Sequence, residues 1–113
     1  MGVPADERLQ CARMAVVELV TAVTREGSRG AFWLPRLQDL RDTLADDRRP
    51  AQQVLTDAAS LCELLYAAPR DNFADFYLVN VDPQTRAADN RRLTAAAENL
   101  RTALHAATPD HDT

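Results

Sequence analysis

Apolar side chains recur along this chain at steps of three and four, in four stretches separated by proline or glycine. The first stretch predicts a helix over residues 4–26. Pro4 suits the first helical position, Asp6 and Glu7 complement the positive helix start, and Gly27 ends it. Leu9, Ala12, Val16, Leu19, Val20 and Val23 share one face, from which Arg13, Thr21, Thr24 and Arg25 fall away. Cys11, Met14 and Val17 lie outside that stripe, so the helix is apolar on more than one side. Such width calls for a further neighbour, either another helix of the chain or a second subunit.

After the Ser28-Arg29-Gly30 break, Trp33, Leu37, Leu40 and Leu44 form a tight second stripe. Pro35 disfavours helix at the residue before it, so the regular helix is predicted to start near Leu34 or Pro35 and to end near Asp46 or Asp47. A third helix is predicted to start at Pro50, with Val54, Ala58, Leu61, Cys62 and Leu65 inward, and to end at Ala67 or Ala68 before Pro69. The short polar turn between the second and third helices predicts an antiparallel hairpin. A fourth helix is predicted to open at Asp82 as cap and Pro83 as first residue. Its face is Leu93, Ala96, Ala97, Leu100, Ala103, Leu104 and Ala107, and Pro109 ends it.

Residues 70–81 lack glycine and proline and hold three of the six aromatic residues of the chain. Asp71 is read as capping one helical turn that carries Phe73, Phe76 and Tyr77, and residues 77–81 are the only β-leaning run. One strand without a partner makes no sheet, so this stretch is read as an ordered, partly helical connector. The predicted fold is all-α: a four-helix up-and-down bundle made of two helical hairpins, with an aromatic connector before the last helix. It is read as a single helical domain over 1–109 with a flexible tail over 110–113.

Composition narrows the setting more than the task. The chain has 113 residues, 46% of them apolar, and no apolar run approaches the roughly 20 residues that span a bilayer. The residues around Pro4 show no basic region followed by an apolar stretch, so a soluble cytoplasmic protein is expected. All 13 basic residues are arginine and isoleucine is absent, the usage of a GC-rich bacterial genome. A net charge of −4 disfavours nucleic acid and anionic membrane as partners. Arg86, Arg91, Arg92 and Arg101 on the last helix are interrupted by Asp82, Asp89 and Glu98, which weakens a helix-turn-helix reading.

Catalytic and metal chemistry have little to build on. The chain has no Cys-x-x-Cys, no His-x-x-x-His and no Glu-x-x-His, so neither metal nor cofactor is expected. Asp39, Asp42 and Asp46 share a helix face but alternate with arginines, as solvated faces do. Cys11 and Cys62 make no disulfide framework, and Cys62 lies on an apolar stripe. An enzyme reading rests only on titratable Asp71, Asp75 and His105.

The aromatic connector is the most distinctive feature. Its simplest role is a lid over the end of the bundle. The functional alternative is an anchor patch, because aromatic residues and arginine dominate interface energies. The candidate residues are Trp33, Arg70, Phe73, Phe76, Tyr77 and Arg86, with Phe32 joining if the hairpins pack end to end. The expected function is a small non-enzymatic interaction or regulatory protein, bound to a protein partner or to copies of itself. The alternative is a bundle that binds a small apolar or acidic ligand among the same rings, with Arg70 or Arg86 holding an acidic group.

Overall fold

The computed structural model describes residues 4–67 and 72–105. Four helices, α1 (Ala5–Arg25), α2 (Leu34–Leu44), α3 (Ala51–Leu64) and α4 (Arg86–His105), are joined with 3-10 turns at Gly27–Gly30 and Phe73–Asp75. There is no strand among the described residues. α1 touches all three other helices and meets α4 most broadly, α2 packs on α3, and α3 on α4 closes the bundle. The helical bundle predicted from the spacing is the fold observed.

The buried residues form one cluster that follows the predicted stripes closely. Trp33, Leu37, Leu40 and Leu44 are all buried, and so are Leu9, Ala12, Val16, Leu19 and Val23 on α1. Leu55 and Ala15 join the core although the stripes omitted them, while Val20, Leu61 and Ala97 reach only its edge. Small residues are buried on both α1 and α4: Ala12 and Ala15 on one helix, Ala96 and Ala103 on the other. α1 and α4 are also the two longest helices, at 21 and 20 residues, which gives their contact its breadth. Each fully buried leucine, such as Leu19, Leu37 or Leu100, contributes about 1.5–3 kcal/mol of transfer free energy.

The helix ends depart from the sequence reading in instructive ways. Pro4 and Pro50 stand one residue before their helices with extended ψ of 150° and 143°. Proline fixes φ but not ψ, so it serves the cap as readily as the first turn. α2 stops at Leu44 because Asp46 turns back on the chain: its carboxylate accepts the Arg48 amide at 2.9 Å and Arg49 Nε at 3.1 Å. Arg49 also reaches Asp57 on α3 at 2.5 Å, tying the hairpin turn to the next helix. α3 ends at Leu64, short of Ala67, because Leu65 and Tyr66 tighten into i−3 hydrogen bonds and the Leu65 carbonyl accepts the Phe73 amide at 2.7 Å.

The start of α4 is the main correction. Asp82 and Pro83 do not open the helix; they form a separate turn, in which Asp82 Oδ1 accepts the Gln84 amide and its carbonyl accepts the Thr85 amide, each at 2.9 Å. The helix begins at Arg86, and the Thr85 carbonyl accepts the Asp89 amide at 2.8 Å. An Asp-Pro pair suits a tight turn as well as a helix cap, and here the chain uses the turn to swing the connector onto α4. The expected ends at Pro69 and Pro109 and the tail over 110–113 lie outside the described residues.

Candidate functional site

Glu26 is the organising residue of one end of the bundle. α1 ends there because Gly27 adopts the left-handed conformation, φ 59°, which turns the backbone out of the helix. The Glu26 side chain is fully buried and accepts the Val79 amide at 3.0 Å and the Asn80 amide at 2.8 Å. Arg29 pairs with the same carboxylate, and Asn80 Nδ2 donates back to the Glu26 carbonyl at 3.1 Å. Burial pushes the Glu26 carboxyl up, but the Val79 and Asn80 amides and Arg29 together outweigh it and hold the group below its ordinary value.

That depression sets a direction for acid stability. The stabilisation from ionised Glu26 is complete above the ordinary value of 4.5 and is lost as the pH falls through the lower folded value. Asp46 is also held low, chiefly by the Arg48 amide, and adds to the same acid limb. A Glu26→Gln protein is expected to show a flatter loss of stability between pH 5 and 3 than the native chain, in denaturant titrations across that range. Identical acid limbs in the two proteins would place the effect on other carboxylates.

The connector is strapped to the helices at consecutive backbone groups. Arg29 donates to the Tyr77 carbonyl at 3.0 Å. Asn90 on α4 accepts the Leu78 amide at 2.6 Å and donates to the Leu78 carbonyl at 3.1 Å. Glu26 accepts the next two amides, and Arg86 donates to the Val79 carbonyl at 3.2 Å. Leu78 is buried between these straps.

The rings form a chain of contacts over the same end. Phe32 meets Trp33 at 4.8 Å, Trp33 meets Phe73 at 5.3 Å, and Phe73 stacks on Phe76 at 5.6 Å. Tyr66 joins from just beyond the end of α3, 6.2 Å from Phe73. Trp33 and Phe73 are buried and act as the lid, Phe76 is half-buried, and Phe32 and Tyr77 are 56% and 57% exposed. Each of the two exposed rings lies beside a guanidinium, Arg36 at 4.1 Å from Phe32 and Arg29 at 5.0 Å from Tyr77.

The structure thus brings Trp33, Phe73, Phe76 and Tyr77 to one end, with Arg86 holding the connector backbone, while Arg70 and Asp71 lie outside the described residues. The predicted single helical turn through Phe73, Phe76 and Tyr77 is corrected. Only Phe73–Asp75 coils, capped by Asn72, whose side chain accepts the Ala74 amide at 2.8 Å, and Phe76 is already extended. Sequence reasoning missed Glu26, Arg29, Arg36 and Asn90. A carboxylate directly before a helix-ending glycine was the available signal for Glu26. Nothing local marks Asn90, whose partner lies twelve residues away.

Two hollows open beside α4. An open groove of about 770 Å³ between α3 and α4 is lined by residues that include Cys62, Tyr66, Arg101 and His105. Burial pushes the Cys62 thiol up to about 11 and the Tyr66 hydroxyl up to about 12, so both stay protonated at neutral pH. Arg101 sits 4.0 Å over the Tyr66 ring. A smaller hollow of about 220 Å³ lies between α1 and α4 beside Val17. Neither is lined by Trp33, Phe73, Phe76 or Tyr77. Among the described residues no three histidine, cysteine or acidic side chains gather as metal ligands, and no helix is long and apolar enough to cross a membrane. Compared with known proteins, the chain matches no family model, no curated sequence and no solved structure.

Proposed function

We propose that this chain is a small non-enzymatic interaction or regulatory protein of the cytoplasm, and that a protein partner docks on its aromatic end. One observation carries this reading: Phe32 and Tyr77 are both more than half exposed, each beside an arginine, above a lid that is itself fixed in the core. Aromatic rings and arginines are the side chains that concentrate binding energy at interfaces. The straps from Glu26, Asn90 and Arg86 hold the connector before any partner arrives. Such preorganisation lowers the entropy lost on association. Support for the compartment comes from the two cysteines, both free thiols, with Cys11 exposed.

The test uses a partner co-purified with the native chain and titrated against folded variants. Tyr77→Ala and Phe32→Ala are expected to weaken binding by roughly tenfold or more, the loss typical of a central interface ring, while Thr56→Ala on exposed α3 leaves it unchanged. Unaltered affinity in both ring variants would remove the aromatic end as the docking surface.

A further inference from the structure

The solvent side of α1 is polar except for a patch at Cys11, Met14 and Val17. Met14 is 72% exposed and Val17 52% exposed, on the side opposite buried Ala12, Val16 and Leu19. Cys11, Glu18 and Thr21 are exposed around them. An outward helix face normally carries charged or polar residues at these positions. Beside Val17 lies the hollow of about 220 Å³ floored by Leu78, Leu93 and Ala96, open to water and rimmed by Glu18, Arg25, Asp89 and Arg92. The charges along the face are also ordered. Asp6 and Glu7 stand in the first turn and Arg25 in the last, and among the described residues none of the three enters an ion pair.

We propose that this face pairs with the same face of a second copy, the two α1 helices running antiparallel about a two-fold axis. Placing Met14 of one copy against Val17 of the other centres the axis between Ala15 and Val16. In that register each methionine enters the hollow beside the opposing valine. The acidic first turn of each helix, Asp6 and Glu7, then lies against Arg25 of the second copy, so both ends of the contact join opposite charges. A parallel pairing would set Asp6 and Glu7 against their own copies and Arg25 against Arg25, which is repulsive at both ends. The two-fold arrangement uses one patch twice, the commonest way soluble chains self-associate.

The helix limits the strength of this dimer. Its 21 residues span about 31 Å, so one helix face and its flanks bury less than the roughly 1,200 Å² at the low end of stable interfaces. A weak dimer is expected, with a dissociation constant on the order of 100 μM. Neither Phe32 nor Tyr77 lines the hollow beside Val17, and the test does not depend on a foreign partner.

Sedimentation of the native chain from about 10 μM to about 1 mM, a range bracketing that constant, is expected to show reversible association to a dimer. Met14→Lys and Val17→Lys are expected to weaken it by roughly tenfold or more without loss of helicity, because both side chains point to water. Arg25→Glu weakens it, and Arg25→Glu combined with Glu7→Arg restores part of the loss. Thr21→Cys supplies a cysteine one residue from the position facing native Cys11 of the second copy, and mild oxidation is expected to give a cross-linked dimer. In the native chain the two Cys11 would stand about 14 Å apart along the helices, too far for a disulfide. A chain that stays monomeric throughout, association unaffected by Met14→Lys, or a native Cys11 to Cys11 disulfide each overturns the proposal.

Discussion

Glu26→Ala is expected to cost about 2–4 kcal/mol of folding stability and to lower Tm by about 10–20 °C. The Val79 and Asn80 amides would lose their acceptor inside the structure. Two part-buried donors left without that acceptor account for most of that figure. Arg29 adds less, because its side chain is 37% exposed and turns to water when its partner is gone. Glu26→Gln is expected to lose about half as much, since its amide keeps one acceptor oxygen and points an N–H₂ at the other donors. Thermal melts of the three proteins check the magnitudes. Trp33, the only tryptophan and 8% exposed, reports locally, with a red-shifted emission in the alanine variant as the connector loosens. Equal melting temperatures for native and alanine proteins would mean that the carboxylate does not hold the connector.

The second large effect is at Gly30. A methyl group there would meet the Val23 carbonyl oxygen at 2.3 Å and Val23 Cγ1 at 2.6 Å. The oxygen belongs to the last turn of α1, so relief requires moving backbone rather than rotating a side chain. Gly30→Ala is expected to destabilise by about 2–3 kcal/mol, as overpacking of a fixed core contact does. Gly27→Ala offers the contrast. Nothing lies within 4 Å of the added carbon, but φ there is 59°, so the cost is the conformational strain alone, about 1–2 kcal/mol. Chemical denaturation of both variants separates crowding from backbone strain. A Gly30→Ala protein as stable as the native one would show that the 3-10 turn can lift off α1 without penalty.

What the sequence makes legible here is whatever depends on short-range period. Leu37, Leu40 and Leu44 declare their face through spacing alone, and burial follows because the helix has one greasy side. The aromatic lid is legible too, since three rings in a short glycine-free run have few places to go. The starts of helices are less so: Asp82-Pro83 fits a turn and a cap equally, and the choice falls to the distance the connector must cover before meeting α4. The polar contacts that fix the aromatic end are the least legible. Glu26 to Asn80 spans fifty-four positions and Arg29 to Tyr77 forty-eight. The place of Glu26 before a helix-ending glycine is a local signal, but it does not name the distant amides that the carboxylate meets. The pairing exists only once the helices have set the two segments side by side.

The connector holds the one run whose composition favours extended pairing, and a cross-chain consequence follows from how it is held. From the Tyr77 carbonyl through the Asn80 amide, the backbone groups at 77–80 that would zip onto a foreign strand are already occupied, by Arg29, Asn90, Glu26 and Arg86. A β-prone segment stoppered by side chains presents no free ladder to recruit a neighbouring molecule, so the folded protein resists the fibrillar growth that such a segment otherwise seeds.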